Sequence, residues 1–91
     1  MRVAAEVDVA LLSSAAALRR LGATITRYET EDGVLEARPR DAQGGGTIRL
    51  TVTSEGEQLT RMRLESDVAG ARRLFRRFRK ALAGKEATPA R

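Results

Sequence analysis

Cysteine, histidine, tryptophan and asparagine are all absent from this 91-residue chain, and its aromatic side chains are three: Tyr28, Phe75 and Phe78. Without cysteine there is no disulfide, no thiolate nucleophile and no zinc-thiolate site. Without histidine the chain lacks the usual general base near neutral pH and the commonest transition-metal ligand. No apolar run approaches the ~20 residues of a membrane-spanning helix. The first residues mix Arg2 with Glu6 and Asp8 and do not lead from a charged region into an apolar one, so no export signal is expected and the cytoplasm is the expected location. These absences point away from an enzyme: no catalytic residue, no cofactor, no metal site and no small-molecule substrate is expected.

What is present suits one small domain. Apolar residues make up 42% and charged residues 32%, a balance that is neither disordered nor membrane-embedded. The net charge is +5, carried by 15 Arg and 2 Lys, an imbalance that biased base composition of the coding sequence explains as well as any need for guanidinium chemistry. Its distribution says more than its size. Seven cations and no carboxylate lie between Arg72 and Lys85, which leaves the rest of the chain slightly acidic.

Met1 to Val7 alternates as a half-buried strand does, with Val3, Ala5 and Val7 on one side. Asp8 is the expected N-cap of a helix over Val9 to Leu21, ended by Gly22 and buried along Leu11, Ser14, Ala15, Leu18 and Leu21. Ala23 to Thr30 reads as a strand, Asp32-Gly33 as a tight primed hairpin turn, and Val34 to Arg40 as the return strand with Leu35 and Ala37 inward. A loop over Asp41 to Gly46 precedes a strand at Thr47 to Thr53, with Ile48, Leu50 and Val52 inward. Ser54 to Glu57 turns the chain into a last strand, Gln58 to Ser66, with Met62 and Leu64 inward. Three successive turns predict an antiparallel meander.

Ser66 to Gly84 reads as the helix that covers this sheet. Val68, Ala71, Leu74, Phe75, Phe78 and Leu82 recur at three- and four-residue steps, while Arg72, Arg73, Arg76, Arg77, Arg79 and Lys80 fall on the opposite arc. Ser66 and Asp67 stand where a cap and a first-turn acid belong. The expected architecture is α+β, a sheet of about five strands in the order β-α-β-β-β-β-α, with both helices on one face. The domain covers residues 1–84 and the tail 85–91 is expected to fray.

That element order, together with Leu21-Gly22, Ile25, Asp32-Gly33, Leu35 and Ala37, resembles the helix-grip or TBP-like domains of the bacterial BamC and related lipoprotein kind. The resemblance implies the fold. The matched residues are structural, and neither a lipidated Cys nor an export signal accompanies them, so an envelope role is not implied.

Three stretches qualify as candidate sites. Gly44-Gly45-Gly46 leads into a strand with no Gly-Lys-Ser/Thr after it, so a flexible loop explains it better than a phosphate cradle. Glu29, Glu31 and Asp32 are solvated turn carboxylates without a calcium-loop pattern. The outer sheet face, expected to show Thr24, Thr26, Tyr28, Arg38, Arg49, Thr51, Arg61 and Arg63, offers one aromatic for stacking. It reads as a solvated face on which Glu36 and Glu65 pair with Arg. Val34 and Leu59 also point outward there, leaving room for a small self-association patch.

The strongest feature is the cationic arc. Like charges four apart, such as Arg72 with Arg76 and Arg73 with Arg77, destabilise a helix by a few tenths of a kcal/mol each, so a merely solvated face usually mixes signs. The expected function is a small interaction module, with a protein partner or self-association first. Sequence-nonspecific binding of nucleic acid or another polyanion through the arc is the alternative. A membrane partner is disfavoured, because the helix would have to leave the core.

Overall fold

The computed structural model describes residues 1–40, 46–67 and 70–87. The elements are β1 (Arg2–Val3), α1 (Val7–Arg20), β2 (Thr24–Glu29), β3 (Val34–Arg38), β4 (Ile48–Gly56), β5 (Leu59–Ser66) and α2 (Ala71–Ala87). The fold is α+β, with one five-stranded sheet in the order β1-β5-β4-β3-β2 and antiparallel pairing throughout.

Alternation along the central strands builds one apolar face. Tyr28, Leu35, Leu50 and Leu64 lie in one cross-strand row, and Ile25, Ala37, Ile48 and Ser66 in the next. Leu35, Ala37, Ile48 and Leu50 are fully buried. Met62 and Thr60 continue the face along β5, where the Thr60 hydroxyl donates to the Val3 carbonyl at 3.4 Å and so can be buried without penalty.

α1 lies across this face, touching β2, β3, β4 and β5. Its buried residues Ala10, Ser14, Ala15 and Ala17 are small, which brings the backbone close to its neighbours, and Ser14 Oγ donates at 2.7 Å to the carbonyl of Ala10 while touching Met62 Sδ at 3.7 Å. The helix begins at Val7, two residues earlier than expected, with Glu6 at the cap position and no side-chain capping bond. Asp8 therefore sits in the first turn, where its carboxylate accepts the neighbouring Val9 N–H at 2.9 Å and meets the positive end of the helix dipole. The first strand shrinks to two residues because the chain bends after Val3, where the Ala5 N–H donates to the Val3 carbonyl at 2.9 Å, before it enters α1. The other end closes as expected: Gly22, at φ 88°, bonds to the Arg19 carbonyl and Ala23 to the Leu18 carbonyl, a Schellman motif with two buried apolar partners.

Two boundaries of α2 differ from expectation. Ser66 completes β5 opposite Ile48, and Asp67 Oδ1 accepts the Thr47 N–H at 3.0 Å, so both are engaged by the sheet rather than capping the helix. The Leu74 N–H makes the first i→i−4 bond of the helix, to the carbonyl of Gly70, whose φ is 79°, and the Arg73 N–H donates to the same carbonyl at 3.0 Å. Val68, expected on the apolar stripe, lies outside the described residues. The helix then runs to Ala87, three residues past the expected domain limit at Gly84.

The expectation that this last helix is the principal cover of the sheet is also corrected. α2 makes its closest approach to α1, which occupies the middle of the sheet. Phe78 and Leu82 enter the common core, whereas Phe75 is only half-buried and does not join that cluster. Bulky side chains hold the backbone of α2 farther from the strands than the alanines of α1 allow.

The two hairpins also close differently. Glu29 and Val34 are the last paired residues of β2 and β3, so the connection has four residues, and the Gly33 N–H donates to the Thr30 carbonyl at 3.3 Å. Gly33 alone takes a positive φ there, 64°; a two-residue primed turn would require one at Asp32 as well. At the second hairpin β4 continues to Gly56 and the turn falls on Glu57-Gln58, with Gln58 at φ 51°. The expected loop at 41–46 falls almost wholly outside the described residues.

Gly33 is constrained twice. Its carbonyl accepts the Val52 N–H at 2.8 Å, and a methyl group at its Cα would overlap the Val52 carbonyl oxygen. Gly33→Ala is therefore expected to cost about 2 kcal/mol or more, from strain at positive φ and displacement of β4. Urea unfolding measures this, and a midpoint equal to the parent's would show that the turn tolerates a side chain.

Candidate functional site

The rotation of α2 is set by Phe78 and Leu82, both in the core, with Ala71, Leu74 and Ala81 half-buried beside them. At about 100° per residue this directs Arg76 and Lys80 almost straight outward, with Arg72 and Arg79 on one flank and Arg73 and Arg77 on the other. All six are exposed. Their backbone positions span about 12 Å of helix axis at ~1.5 Å per residue. The expected arc is assembled, and among the described residues none of the six has an ion-pair partner.

The outer sheet face is also rich in arginine, but there most of the charge is matched, with exposed Arg38 in no ion pair among the described residues. Arg27, Glu36, Arg49 and Glu65 stand opposite one another across β2, β3, β4 and β5, a row of alternating sign. Glu36 bridges Arg27 at 3.7 Å and Arg49 at 3.4 Å, while Glu65 turns along its own strand to Arg63 at 4.0 Å. Glu55 likewise receives Arg2 and Arg61, each at 2.9 Å. The hydrogen bond and charge of Glu29 hold the Arg27 guanidinium above its ordinary pKa. The expected pairing of Glu36 with Arg across strands is thus present, and this face offers an anionic partner little free charge.

Tyr28 is not on that face. A bulge between Ile25 and Arg27 inserts Thr26 as an extra residue, so Arg27 pairs with Glu36 and Tyr28 with Leu35. Tyr28 consequently lies on the helix-bearing side of the edge strand, 39% exposed, and the outer face keeps no aromatic for base stacking. Alternation counted from the sequence alone misses this, because an extra residue is defined only by the partner strand's register. The expected patch of Val34 and Leu59 fails as well: Val34 is buried beneath its row neighbours Glu29 and Thr51, and Leu59 is half-buried at the far hairpin.

A shallow, open depression lies where β4 begins and β5 ends, lined by Glu36, Thr47, Arg49, Glu65, Ser66 and Asp67. Three carboxylates against one guanidinium is the wrong balance for a phosphate group. Glu29, Glu31 and Asp32 do not come together: among the described residues no group of three or more candidate ligands could hold a metal ion. Nor, among those residues, is any helix long and apolar enough to cross a membrane.

No protein-family model matches the chain, and comparison with curated proteins finds no match in sequence. Neither comparison supports the expected likeness to BamC-type or TBP-like domains. In three dimensions the chain is similar to one in the crystal structure of the adenylate sensor from AMP-activated protein kinase in complex with 5-aminoimidazole-4-carboxamide 1-β-D-ribofuranotide. The TM-score is 0.73 at 17% identity, over 90% of this chain and 93% of that one, which shows a shared fold and nothing about ligands.

Because Glu36 separates Arg27 from Arg49, Glu36→Gln leaves two guanidinium groups facing each other across β3. The variant is expected to melt below the parent at low salt and to regain part of the loss as salt is added, since screening then does what the carboxylate did. Equal melting curves for parent and variant across the salt series would show that the row contributes nothing.

Proposed function

We propose that this domain is a small, non-catalytic interaction module that captures an acidic partner on the solvent arc of α2, with an acidic protein segment as the first reading. The observation that carries it is the contrast between the two arginine-rich surfaces. On the sheet each half-buried glutamate is placed against arginine, whereas six adjacent cations on α2 have no counter-charge among the described residues. Clustered like charge opposes helix formation, and an anionic partner relieves it. A binding role rather than catalysis is further supported by the polar groups in the core: Ser14 and Thr60, both hydrogen-bonded and neither a group that titrates near neutral pH.

Sequence-indifferent binding of nucleic acid through the same arc is the second reading, favoured by the density of cations over a short length of helix. The arc has no aromatic at its centre, so such binding would be electrostatic and would read phosphates rather than bases. The open depression at the outer sheet face carries the wrong charge for a nucleotide of the kind held by the adenylate sensor.

Titration with a polyglutamate peptide and with a nucleic acid duplex at about 50 mM salt tests the proposal. Both readings require Arg73→Glu/Arg77→Glu to abolish binding with little change in melting temperature, because both side chains are exposed. Binding of duplex that falls on a log–log salt plot with a slope of several units favours the nucleic acid. Preference for the acidic peptide with a shallow slope favours the protein partner. No association of the parent chain with either would refute the role of the arc.

A further inference from the structure

α1 presents to solvent a strip that the core does not use. Leu12 is 62% exposed and Val9 47%, and Ala16 continues the strip one turn on, at the three- and four-residue spacing that keeps side chains on one helix face. Charges flank it at both ends. Glu6 and Asp8 stand at the start of the helix and Arg19 and Arg20 at its end, all exposed and none in an ion pair among the described residues. They cannot meet within one chain, because Asp8 and Arg19 are separated by about 16 Å along the axis.

We infer that this strip is a self-association surface, on which a second copy of the chain docks with its α1 antiparallel to the first. A two-fold axis passing close to Leu12 and Ser13 sets Val9 of one copy against Ala16 of the other, with the two Leu12 side chains at the centre. At about 100° per residue, Asp8 and Arg19 lie on one flank of the strip and Glu6 and Arg20 on the other. Antiparallel pairing then brings Asp8 of each copy beside Arg19 of the other, and Glu6 beside Arg20. Both flanks are complementary in that orientation, and both would oppose like charges in the parallel one. The antiparallel helix dipoles favour the same choice. Small Ser13 and Ala16 let the axes approach. α2 does not obstruct the strip, as the exposure of Leu12 and Val9 shows. The inference is independent of what binds the arc of α2.

A contact this short buries less than the roughly 1,200 Å² of stable complexes, so the dimer is weak. Sedimentation equilibrium of the full chain from roughly 5 µM to 1 mM reads it directly. Leu12→Glu is expected to remain monomeric throughout while melting as the parent does in dilute solution. Asp8→Arg and Arg19→Asp should each weaken the dimer about tenfold, since each breaks two symmetric pairs. Mixed together, the two variants should associate as tightly as the parent, because in the mixed dimer both cross-copy pairs again join opposite charges, one of them with its signs exchanged. A parent chain that stays monomeric at about 1 mM, a dimer insensitive to Leu12→Glu, or a mixture no tighter than its components would each overturn the inference.

Discussion

Close approach of α1 to the sheet decides where the rest of the chain can lie. A helix whose buried side is Ala10, Ser14, Ala15 and Ala17, anchored by Leu11 and Leu18, seats deeper than one faced with large side chains. Once it occupies the middle of the apolar face, the remaining cover comes from α2, which reaches the common core through Phe78 and Leu82 and keeps Phe75 at the margin. The rotation that buries Phe78 is the one that turns six cations outward, so the charged surface follows from the packing of the core.

The two arginine-rich surfaces illustrate how context assigns meaning to composition. On the outer sheet face the pleat and the antiparallel register place Glu36 between Arg27 and Arg49, and Glu55 between Arg2 and Arg61. Those guanidinium groups are paired inside the domain. A helix surface has no such neighbour on its solvent side, and α2 supplies no acid of its own among Arg72 to Lys80. Charge of the same chemical kind is structural in one place and available in the other.

Much of the architecture was legible in the residues. Alternation located β3, β4 and the inward row of β5, Gly22 marked the end of α1, and helical spacing separated the apolar and cationic arcs of α2. What escaped depended on pairing. The extra Thr26 in β2 inverts the face on which Tyr28 stands, and nothing in the order Thr-Ile-Thr-Arg-Tyr announces it. Ser66 and Asp67 look like a helix start, yet the register of β5 against β4 claims Ser66 for the sheet and the Thr47 N–H claims Asp67. Which of two amphipathic helices lies deeper is likewise a matter of comparative side-chain volume, and both stripes read equally well as inner faces. The cations of the candidate site were legible individually; that they have no ion pair among the described residues, while Arg2, Arg27, Arg49 and Arg61 on the sheet do, required the fold.

The claim that small residues on α1 set this arrangement is tested most directly by enlarging one of them. Ala15 is fully buried, and in Ala15→Leu the added methylenes meet a packed interior. Equilibrium unfolding in urea should show a loss of about 1–3 kcal/mol with the folded far-ultraviolet circular dichroism retained. An Ala15→Leu chain as stable as the parent would contradict the account, because it would mean that α1 stands off the sheet with room to spare.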